Sequence, residues 1–538
     1  MKASNQEFLN RSNFIEELKQ DITWDILIIG GGATGLGTAL DSASRGYKTL
    51  LLEQSDFSKG TSSRSTKLVH GGVRYLAQGN IALVYEALRE RGLLLKNAPH
   101  LVKRQAFIIP CYTRYSLVKY FIGLKIYDWL SGGYSFGQSK LLRREKVLQR
   151  IPEIKKEGLK GGVEYWDGQF DDSRLAVNIA QTAAQKGATL LNYIKVKGLS
   201  KDSKGKINGV IAHDLESEQE YHIRSKVVIN ATGVFVDEIL QMDISFRKAL
   251  IQPSQGVHIV LDKLFLGGDR AILIPETSDG RVLFAVPWHD YVLVGTTDTA
   301  LEKLSLEPKA LDKEIDFILE TAGRYLSHKP ARKDVLSVFA GLRPLAVPAA
   351  ASGNTKDISR SHKLLVSNSG LITITGGKWT TYRKMAEDTV DEAIKTAQLN
   401  PVACSSESLR IHGATTRISL CHLAIYGTDQ EGIEDLIRAT SELGTKLLPG
   451  MPYLCAEVVW AVKNEMARTV EDVLARRLRV LFLDAKAAIT MSPVVARLMS
   501  AELGFGKEWE YEQIESFKAL AANYLIESGK PDFEKSLS

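Results

Sequence analysis

Cysteine is scarce in this chain, and the few cysteines stand far apart. Cys111, Cys404, Cys421 and Cys455 are the four among 538 residues, and none belongs to a C-x-x-C pair. Such spacing predicts neither a zinc site nor a disulfide framework, so we expect no bound metal. Thiols that are few and unpaired are typical of a reducing compartment.

Long apolar runs are also missing. We find no window with the ~18 uninterrupted apolar residues that a membrane-spanning helix needs, and glycines interrupt the run 26–40. Residues 1–22 carry acidic side chains and lack the apolar centre of a secretion signal. We therefore expect any contact with a membrane to be made at its surface.

A strong excess of one charge is absent as well. The chain has 69 Lys and Arg against 63 Asp and Glu, which gives a net charge of +6. This diffuse balance is compatible with anionic ligands or an anionic membrane surface, but no basic patch interleaved with aromatics predicts a nucleic acid partner. The length exceeds one ordinary domain of about 100–200 residues and predicts two or three domains.

What the sequence does contain, near its start, is a complete β-α-β unit. An apolar strand at 25–29 precedes the loop 30–35, which fits G-x-G-x-x-G, and the helix after it ends near Gly46. A second strand, 48–52, leads to Glu53, which lies near the ~20-residue spacing expected for a carboxylate that binds a ribose. The unit predicts a dinucleotide site at the N-terminus of the helix.

Each glycine of the loop has a distinct predicted task. Gly30 permits the tight turn, Gly32 lets the backbone approach a pyrophosphate, and Gly35 lets helix and strand pack closely. The alternative is a glycine-rich turn in an α/β fold that binds no nucleotide. The strand, the helix and the acid together favour the dinucleotide.

Two later strand ends favour FAD. After a predicted helix at 174–187 and three β-like runs with turns at 202–205 and 216–220, an apolar strand ends in Asn-Ala-Thr-Gly at 230–233. Another glycine-rich strand end follows at 371–378. A dinucleotide domain assembled from separated segments favours FAD over a diffusing NAD.

The remaining sequence predicts a second sheet and a helical tail. Residues 282–298 alternate and are rich in β-branched and aromatic side chains, which predicts an antiparallel sheet over a substrate pocket. From about 414 the apolar spacing is helical, with predicted breaks at 447–452 and around 491–493.

A series of motifs runs in order from residue 25 to about 387. They are DILIIGGGATGLGTALDSASRG, TSSRSTKLVHGGVRYL, APHLV, YWDGQFDDSRL, VINATG, GVHIVLD, VLVGTTD, GLRPL and TGGKWTTYRKMAE. The chain thereby resembles the FAD-dependent, respiratory glycerol-3-phosphate dehydrogenases, which belong to a wider group that includes the D-amino-acid oxidases. The family often has ATGPW where this chain has ATGVF; an aromatic remains at Phe235, so we expect the flavin contact to be kept.

The resemblance and the patterns predict an α/β fold in three parts. The first is a discontinuous, Rossmann-like FAD-binding domain over 1–85, 155–240 and 345–400. The second is a D-amino-acid-oxidase-like antiparallel-sheet substrate or cap domain over 86–154 and 241–344. The third is an appended, all-helical C-terminal domain over 401–538.

The resemblance also implies a reaction. It is oxidation of sn-glycerol 3-phosphate at C2 to dihydroxyacetone phosphate, with a hydride passing to FAD and electrons then to a membrane quinone. The alternative acceptor is O₂, as in glycerol-3-phosphate oxidases, but the chain lacks their long insertion. An alternative of another class is a flavin-stabilised binding or scaffold protein without turnover.

Partners and location follow from the same resemblance. We expect a cytoplasmic protein bound peripherally to the inner face of the cytoplasmic membrane, where it meets the quinone. The sequence leaves the oligomeric state open, with a homodimer as one candidate, and no nucleic acid partner is expected.

The predicted cofactor contacts extend from the glycine loop to the strand ends downstream. The hydroxyl residues among them are expected to line the pyrophosphate path rather than act as nucleophiles, and the Gly71–Gly72 pair to allow close approach beneath the flavin ring. They are Gly30, Gly32, Ala33, Thr34, Gly35, Glu53, Gln54, Thr61, Ser62, Ser63, Thr66, Lys67, Leu68, Gly71, Gly72, Ala231, Thr232, Gly233, Gly341, Gly377, Lys378 and Thr380.

A dianionic phosphate calls for cations, above all for arginine, whose fork matches phosphate oxygens. We predict Arg74, Tyr75, Arg343, Arg360 and Lys378 as substrate-binding residues. The resemblance places Arg343 where the amino-acid oxidases hold a substrate carboxylate. For any one arginine the alternative is an interdomain salt bridge, and for Tyr75 it is core packing.

The predicted catalytic residues are His258, His70 and Arg343. Histidine suits general-base work near neutral pH, and either His258 or His70 is expected to accept the hydroxyl proton. The alternative for each is a structural histidine satisfied by a hydrogen bond.

Two further segments concern surfaces. Residues 112–130 mix Tyr, Trp and Phe with Lys119 and Lys125, which predicts either a helix at a lipid interface or an ordinary buried cap helix. We interpret the cluster Arg476, Arg477 and Arg479 as a solvated helix face.

Overall fold

The computed structural model describes residues 8–77, 79–244, 249–277, 280–346, 362–416 and 421–526. The helices are α1 Arg11–Leu18, α2 Ala33–Ser44, α3 Val73–Ala77, α4 Ile81–Asn97, α5 Arg114–Ser131, α6 Arg144–Arg150, α7 Asp172–Gln185, α8 Val236–Asp243, α9 Asp312–Gly323, α10 Tyr382–Thr396, α11 Gln430–Ala439, α12 Cys455–Asn464, α13 Val480–Leu483, α14 Ala485–Leu503 and α15 Lys507–Ala521.

The strands alternate with these helices along most of the chain. They are β1 Thr23–Ile29, β2 Thr49–Leu52, β3 Leu68–Val69, β4 Val102–Cys111, β5 Lys140–Arg143, β6 Gly161–Phe170, β7 Thr189–Leu191, β8 Ile194–Lys201, β9 Ile207–Asp214, β10 Glu220–Asn230, β11 Ile251–Asp262, β12 Ala271–Ile274, β13 Leu283–Trp288, β14 Tyr291–Gly295, β15 Thr299–Ala300, β16 Ser337–Ala346, β17 Lys363–Val366 and β18 Ile372–Thr375.

The first sheet has the order β17-β18-β10-β1-β2-β7, and its strands from β18 to β7 are parallel. Both faces of β1 are buried, because Ile26 and Ile28 pack beneath α2 while Leu27 and Ile29 face the core under β8, β9 and α8. A strand that is covered on both faces reads as a continuous apolar run, which is what the sequence has there. The predicted discontinuous FAD-binding sheet is thus present.

The second sheet is mainly antiparallel and follows the order β15-β11-β14-β13-β12-β4-β6-β3, with β16 paired to β11 and β5 to β6. It contains β6, although we predicted 155–240 to belong wholly to the FAD-binding domain. The predicted boundary is therefore too early: β6 completes the second sheet, and only α7, directly after it, returns to the first.

The C-terminal helices pack on the second sheet rather than apart from it. Their core includes Phe482, Met491 and Val495 together with Val260 and Phe339 of the sheet. None of the helices in the described part of the chain combines the length and the apolar character that a membrane crossing needs.

One predicted helix break is wrong. Pro493 lies inside α14, where its missing N–H leaves the carbonyl of Ile489 without the usual helical partner. The hydroxyl of Ser492 donates to that carbonyl at 2.8 Å and replaces the lost hydrogen bond. The break predicted at 447–452 does fall between α11 and α12.

The predicted solvated arginine face is also wrong. Arg476, Arg477 and Arg479 are almost completely buried, two of them in a π-helical turn, Asp472–Arg477. Their acidic partners include Asp56 and Asp171, which lie hundreds of residues earlier in the chain. No local sequence pattern carries information about such distant pairing.

Candidate functional site

One cavity of about 1050 Å³ connects the glycine loop after β1 with the second sheet. It lies at the upper end of the ~300–1,000 Å³ typical of ligand pockets. Its lining contains the ends of β1, β10 and β18, the loop between β2 and β3, and residues of β11, β13 and β16. The two predicted domains therefore share one site.

The glycine loop has the backbone that the motif predicts. Gly30 has φ +108°, and a Cβ there would lie 2.8 Å from the carbonyl oxygen of Ala231. A Cβ on Gly35 would collide with the carbonyl oxygen of Gly30. Only glycine at position 35 therefore lets α2 pack directly against the end of β1. The N-terminus of α2 faces the cavity, where its N–H groups and dipole favour an anion such as a pyrophosphate.

Glu53 lies where a ribose carboxylate is expected, at the end of β2 and on the cavity wall. Its Oε2 accepts the N–H of Gly31 at 2.6 Å, and its Oε1 accepts the N–H of Ser55 at 2.8 Å. Burial raises the pKa of Glu53, and these two N–H groups oppose that rise. The bonds fix the carboxyl group in one orientation at the loop.

Three parallel strand ends form the floor of the cavity. β10 pairs with β1 on one side and with β18 on the other, so their carboxyl ends lie side by side. The segments that follow, 231–235 and 376–380, both line the cavity. This is the edge at which open α/β sheets bind their ligands.

Most of the predicted cofactor residues line this cavity. Those that do are Gly30, Gly32, Ala33, Thr34, Glu53, Gln54, Thr61, Ser62, Thr66, Leu68, Gly72, Ala231, Thr232, Gly233, Gly341, Gly377, Lys378 and Thr380. Gly35, Ser63, Lys67 and Gly71 lie behind the wall instead.

Lys67 is the clearest departure from the predicted set. Its ammonium is fully buried and donates to the carbonyl of Ser63 and to both carboxylate oxygens of Asp172, all at 2.7–2.8 Å. Burial lowers the pKa of Lys67, although Asp172 opposes that change. Lys67 supports the wall and does not face the cavity. Gly71 likewise serves packing, because a Cβ there would lie 2.5 Å from Leu88.

Arg343 lines the far end of the cavity and is held rigidly there. Its guanidinium donates to the carbonyls of Gln255 and Thr297 at 3.2 and 2.9 Å and to the hydroxyl of Thr296 at 3.1 Å, with Asp298 at 3.5 Å. These partners belong to the second sheet and the loop after β14, so the described contacts of Arg343 lie within the second domain.

Lys378 and Tyr75 meet across the same end. The ammonium lies 3.9 Å from the centre of the Tyr75 ring, a cation–π contact, and both residues line the cavity. Arg74 lies on α3, but its side chain is outside the described part of the chain, and Arg360 falls outside the described residues altogether.

Both predicted histidines reach the cavity but differ in their surroundings. The His258 ring is 3 % exposed, stacks on Phe339 at 5.0 Å, and places Nε2 2.9 Å from the hydroxyl oxygen of Thr66. Burial, reinforced by Arg343 and Lys67, lowers the pKa of His258 well below its usual value. His258 is therefore a neutral imidazole near pH 7.

His70 is half-buried, and its backbone N–H donates to the hydroxyl of Thr380 at 3.3 Å. Its ring lies 6.5 Å from Phe284. The backbone of His70 thus connects the segment after β3 to the segment after β18. His70 therefore has a structural role as well as a place on the cavity wall.

Arg281 and Asp298 are among the charged residues of the wall that sequence reasoning missed. Arg281 donates to the carbonyl of Asp298 at 2.8 Å, and the Asp298 carboxylate stands between Arg281 and Arg343. The motif VLVGTTD ends at Asp298 and could have drawn attention to it. Arg281 precedes the alternating strand β13, and nothing in its sequence context distinguishes it.

Segment 112–130 contains α5, which lies beside the cavity and has both buried and exposed apolar side chains. Leu124 and Tyr127 of α5 are buried, as in a cap helix. On the outer side of α5, Tyr115 and Trp129 are 76 % and 79 % exposed, and Val118, Ile122 and Ile126 are exposed with them. The helix therefore carries apolar side chains on both its buried and its exposed side.

The residues present fit FAD. The glycine cradle would be filled by any Cβ, the helix N-terminus is open to the cavity, and a second end lined by cations lies across the same space. A cavity of this size and length suits a dinucleotide together with a small anionic substrate.

Comparisons with known proteins agree with this geometry. A family model described as FAD dependent oxidoreductase matches residues 25–383, and one described as the C-terminal domain of alpha-glycerophosphate oxidase matches residues 370–510. The mitochondrial glycerol-3-phosphate dehydrogenase of Macaca fascicularis is 40% identical, with 96% of this chain and 75% of that protein covered. The human protein of the same name is also 40% identical, over 95% of this chain and 75% of its own length.

A solved structure agrees over almost the whole chain. The glycerol-3-phosphate dehydrogenase from Bacillus halodurans, complexed with FAD, superimposes with a TM-score of 0.76 at 30% identity, covering 97% of this chain and 99% of that one. The C-terminal helices are therefore part of the common architecture.

Proposed function

The chain belongs to the family of FAD-dependent glycerol-3-phosphate dehydrogenases, and from this premise we propose that it oxidises sn-glycerol 3-phosphate to dihydroxyacetone phosphate and passes the electrons to a membrane quinone. One observation carries the proposal. A single cavity joins a dinucleotide cradle to an end that bears Arg343, Lys378 and a neutral His258.

The cofactor end is built to hold FAD without large rearrangement. The N-terminus of α2 would hold the pyrophosphate, Glu53 the ribose, and the segments after β10 and β18 the flavin side. The chemistry that FAD supplies when bound is acceptance of a hydride. The protein contributes the orientation of the substrate beside it.

The substrate end supplies fixed positive charge. Because Arg343 is already held by two carbonyls and a hydroxyl, it can meet an anion with little loss of side-chain freedom. Lys378 adds a second cation on the same wall. Two cations suit a phosphate dianion, and the C2 hydroxyl is then held at a defined distance from them.

His258 supplies the proton acceptor in this proposal. A general base must be unprotonated at working pH, and burial keeps this imidazole neutral. The Thr66 hydroxyl at Nε2 and the Phe339 ring at its face hold the ring in one orientation. The proton of the C2 hydroxyl passes to the histidine as the hydride leaves carbon.

An apolar mouth supports quinone over O₂ as the acceptor. Ile81 and Ile126 line the cavity and are also exposed on the outer surface, so the cavity reaches the apolar side of α4 and α5. A shallow groove of about 310 Å³, formed by Phe121, Ile122, Lys125, Ile126 and Trp129, adjoins it. A lipid-soluble quinone needs such an apolar approach, whereas O₂ does not.

The same apolar surface supports peripheral attachment to a membrane, and we propose the inner face of the cytoplasmic membrane as the location. Aromatic and aliphatic side chains of α5 point outward beside Lys119 and Lys125, a combination typical of helices that lie in a lipid interface. A homodimer stays a prediction.

We expect the double variant Ile122→Ser/Trp129→Ser to bind vesicles of mixed neutral and anionic lipid at least tenfold more weakly. Each large apolar side chain contributes about 1.5–3 kcal/mol when it leaves water. Co-sedimentation measures the binding. Tyr511→Ser, which removes a 68 % exposed aromatic from α15, is the matched control and should bind as the parent does. Equal binding by the double variant would exclude this surface.

Anaerobic addition of sn-glycerol 3-phosphate to the FAD-loaded protein tests the function itself. The flavin absorbance should bleach, and reoxidation should follow addition of a soluble quinone. A flavin-stabilised binding protein would show no bleaching. Release of hydrogen peroxide in equal amount to product would assign the oxidase activity instead.

A further inference from the structure

The loop between β2 and β3, residues 53–67, lines the cavity on one side and is held by the C-terminal helical region on the other. We call it the cofactor loop. Its Asp56 is fully buried, and the Arg477 guanidinium forks onto it with bonds of 2.7 and 2.9 Å. Arg476 donates to the same carboxylate. Burial alone would raise the pKa of Asp56, but the two guanidinium groups outweigh it and lower the pKa to about 2.

Two more contacts tie the same loop to the same region. The Lys59 ammonium lies 2.6 Å from the Glu471 carboxylate, which also pairs with Arg476 at 2.6 Å. The Arg64 guanidinium lies about 6 Å from the ring centres of Phe482 and Tyr524. These contacts lie at Asp56, Lys59 and Arg64, so the helical region holds the loop at three points, while β16 also accepts hydrogen bonds from Thr61 and Arg64.

The cofactor side of the loop is coupled to the glycine loop. The N–H of Ser58 donates to the carbonyl of Gly31 at 2.9 Å, and Phe57 is buried against Gly31. The hydroxyl of Ser62 accepts the N–H of Ala33 at 2.9 Å, in the first turn of α2. A shift of the cofactor loop would therefore displace the backbone that receives the pyrophosphate.

We propose that Asp56, Arg476 and Arg477 are positioning residues through which the C-terminal helical region sets the affinity for FAD. Asp56 does not line the cavity, but Gln54 before it and Ser58 after it do, and Phe57 packs against Gly31 of the glycine loop. The ion cluster holds them in one place because a buried carboxylate with two guanidinium partners has few alternative arrangements. The inference rests on the cofactor and does not depend on the substrate or the electron acceptor.

The full-length variants Asp56→Asn and Arg477→Lys test this. Asp56→Asn keeps the shape and removes the charge, and Arg477→Lys keeps the charge and removes the fork. Each protein is freed of flavin and titrated with FAD, following the quenching of flavin fluorescence. We expect the dissociation constant for FAD to rise at least tenfold for Asp56→Asn and severalfold for Arg477→Lys. With saturating FAD, the KM for the substrate should return to the parent value.

Glu457→Gln is the matched control. Glu457 is a fully buried carboxylate of the same helical region, on α12. Its described partners are His422, Tyr426 and the N–H of Leu454, and none of them belongs to the cofactor loop. The variant should lower the thermal midpoint without changing the FAD dissociation constant. An unchanged constant in the Asp56 and Arg477 variants, or an equal rise in Glu457→Gln, overturns the proposal. If Asp56→Asn yields no folded protein, Arg477→Lys decides by the same criterion.

Discussion

Replacing His258 by asparagine is expected to lower kcat by about 10²–10⁴-fold, the usual contribution of a general base. Asparagine is polar but cannot accept the proton at working pH, and its shorter side chain also gives up the contact of Nε2 with Thr66. Stopped-flow measurement of flavin reduction isolates this step from reoxidation. His70→Asn, which retains the backbone bond to Thr380, should lose far less. If both variants reduce bound FAD at near-normal rates, an arginine-assisted or water-mediated route replaces the histidine.

The pH profile gives a second measurement on the same residue. Because burial lowers the pKa of His258 well below 6.5, the imidazole stays neutral from pH 7 downward past the usual histidine range. The rate of flavin reduction should therefore show no histidine-type loss between pH 7 and about 6, and should fall only when the pH passes the lowered pKa. A loss centred near 6.5 would contradict the assignment of His258 as the base.

Replacing Arg343 by methionine is expected to lower kcat/KM for sn-glycerol 3-phosphate by about 10²–10³-fold. That corresponds to roughly 3–4 kcal/mol of lost transition-state stabilisation at 1.36 kcal/mol per decade. The reason is that a fixed guanidinium on the cavity wall is removed while its carbonyl partners at Gln255 and Thr297 stay behind. The kcat/KM of Arg343→Lys should lie between those of the parent and of Arg343→Met, because lysine keeps the charge but not the forked guanidinium.

Two controls separate phosphate recognition from damage to the sheet. If the parent protein oxidises glycerol, which has no phosphate, that rate should change little in Arg343→Met. Arg332→Met removes an arginine that pairs with Asp312 and Asp316 at the surface and should leave both substrates unaffected. Equal losses for glycerol and glycerol 3-phosphate would contradict a role in binding the phosphate.

Much of the fold could be predicted because it depends on local physics. Gly46 ends α2 with φ +87°, a conformation that glycine adopts without strain. The predicted helix 174–187 is α7, with its N-cap at Asp171 and Gly187 just after its end. The glycine loop follows from the close approach of backbones. These features need no knowledge of distant residues.

The features that could not be predicted are ion pairs between residues far apart in the sequence. Arg477 pairs with Asp56, and Lys67 pairs with Asp172. In both cases a charged side chain that the local pattern assigns to solvent or to a ligand forms an ion pair in the protein interior. Arg281 and Arg343 approach the same carboxylate, that of Asp298, because β13 and β16 belong to one sheet. Charge alone does not reveal whether a residue meets water, a ligand or a partner 400 positions away.

The order of strands in the first sheet has a consequence for biosynthesis. The end of β10, Ile229 and Asn230, needs β18 to cover its edge, because β9 covers only residues 220–224 of the strand, and about 140 residues separate Asn230 from Ile372. At the usual ~5–20 residues per second, a nascent chain leaves that edge unpaired for roughly 7–28 s. An uncovered parallel strand is a template for pairing with other chains. Ribosome-bound chains should therefore acquire FAD only late, and a chaperone that shields strand edges should raise the yield more than added cofactor does.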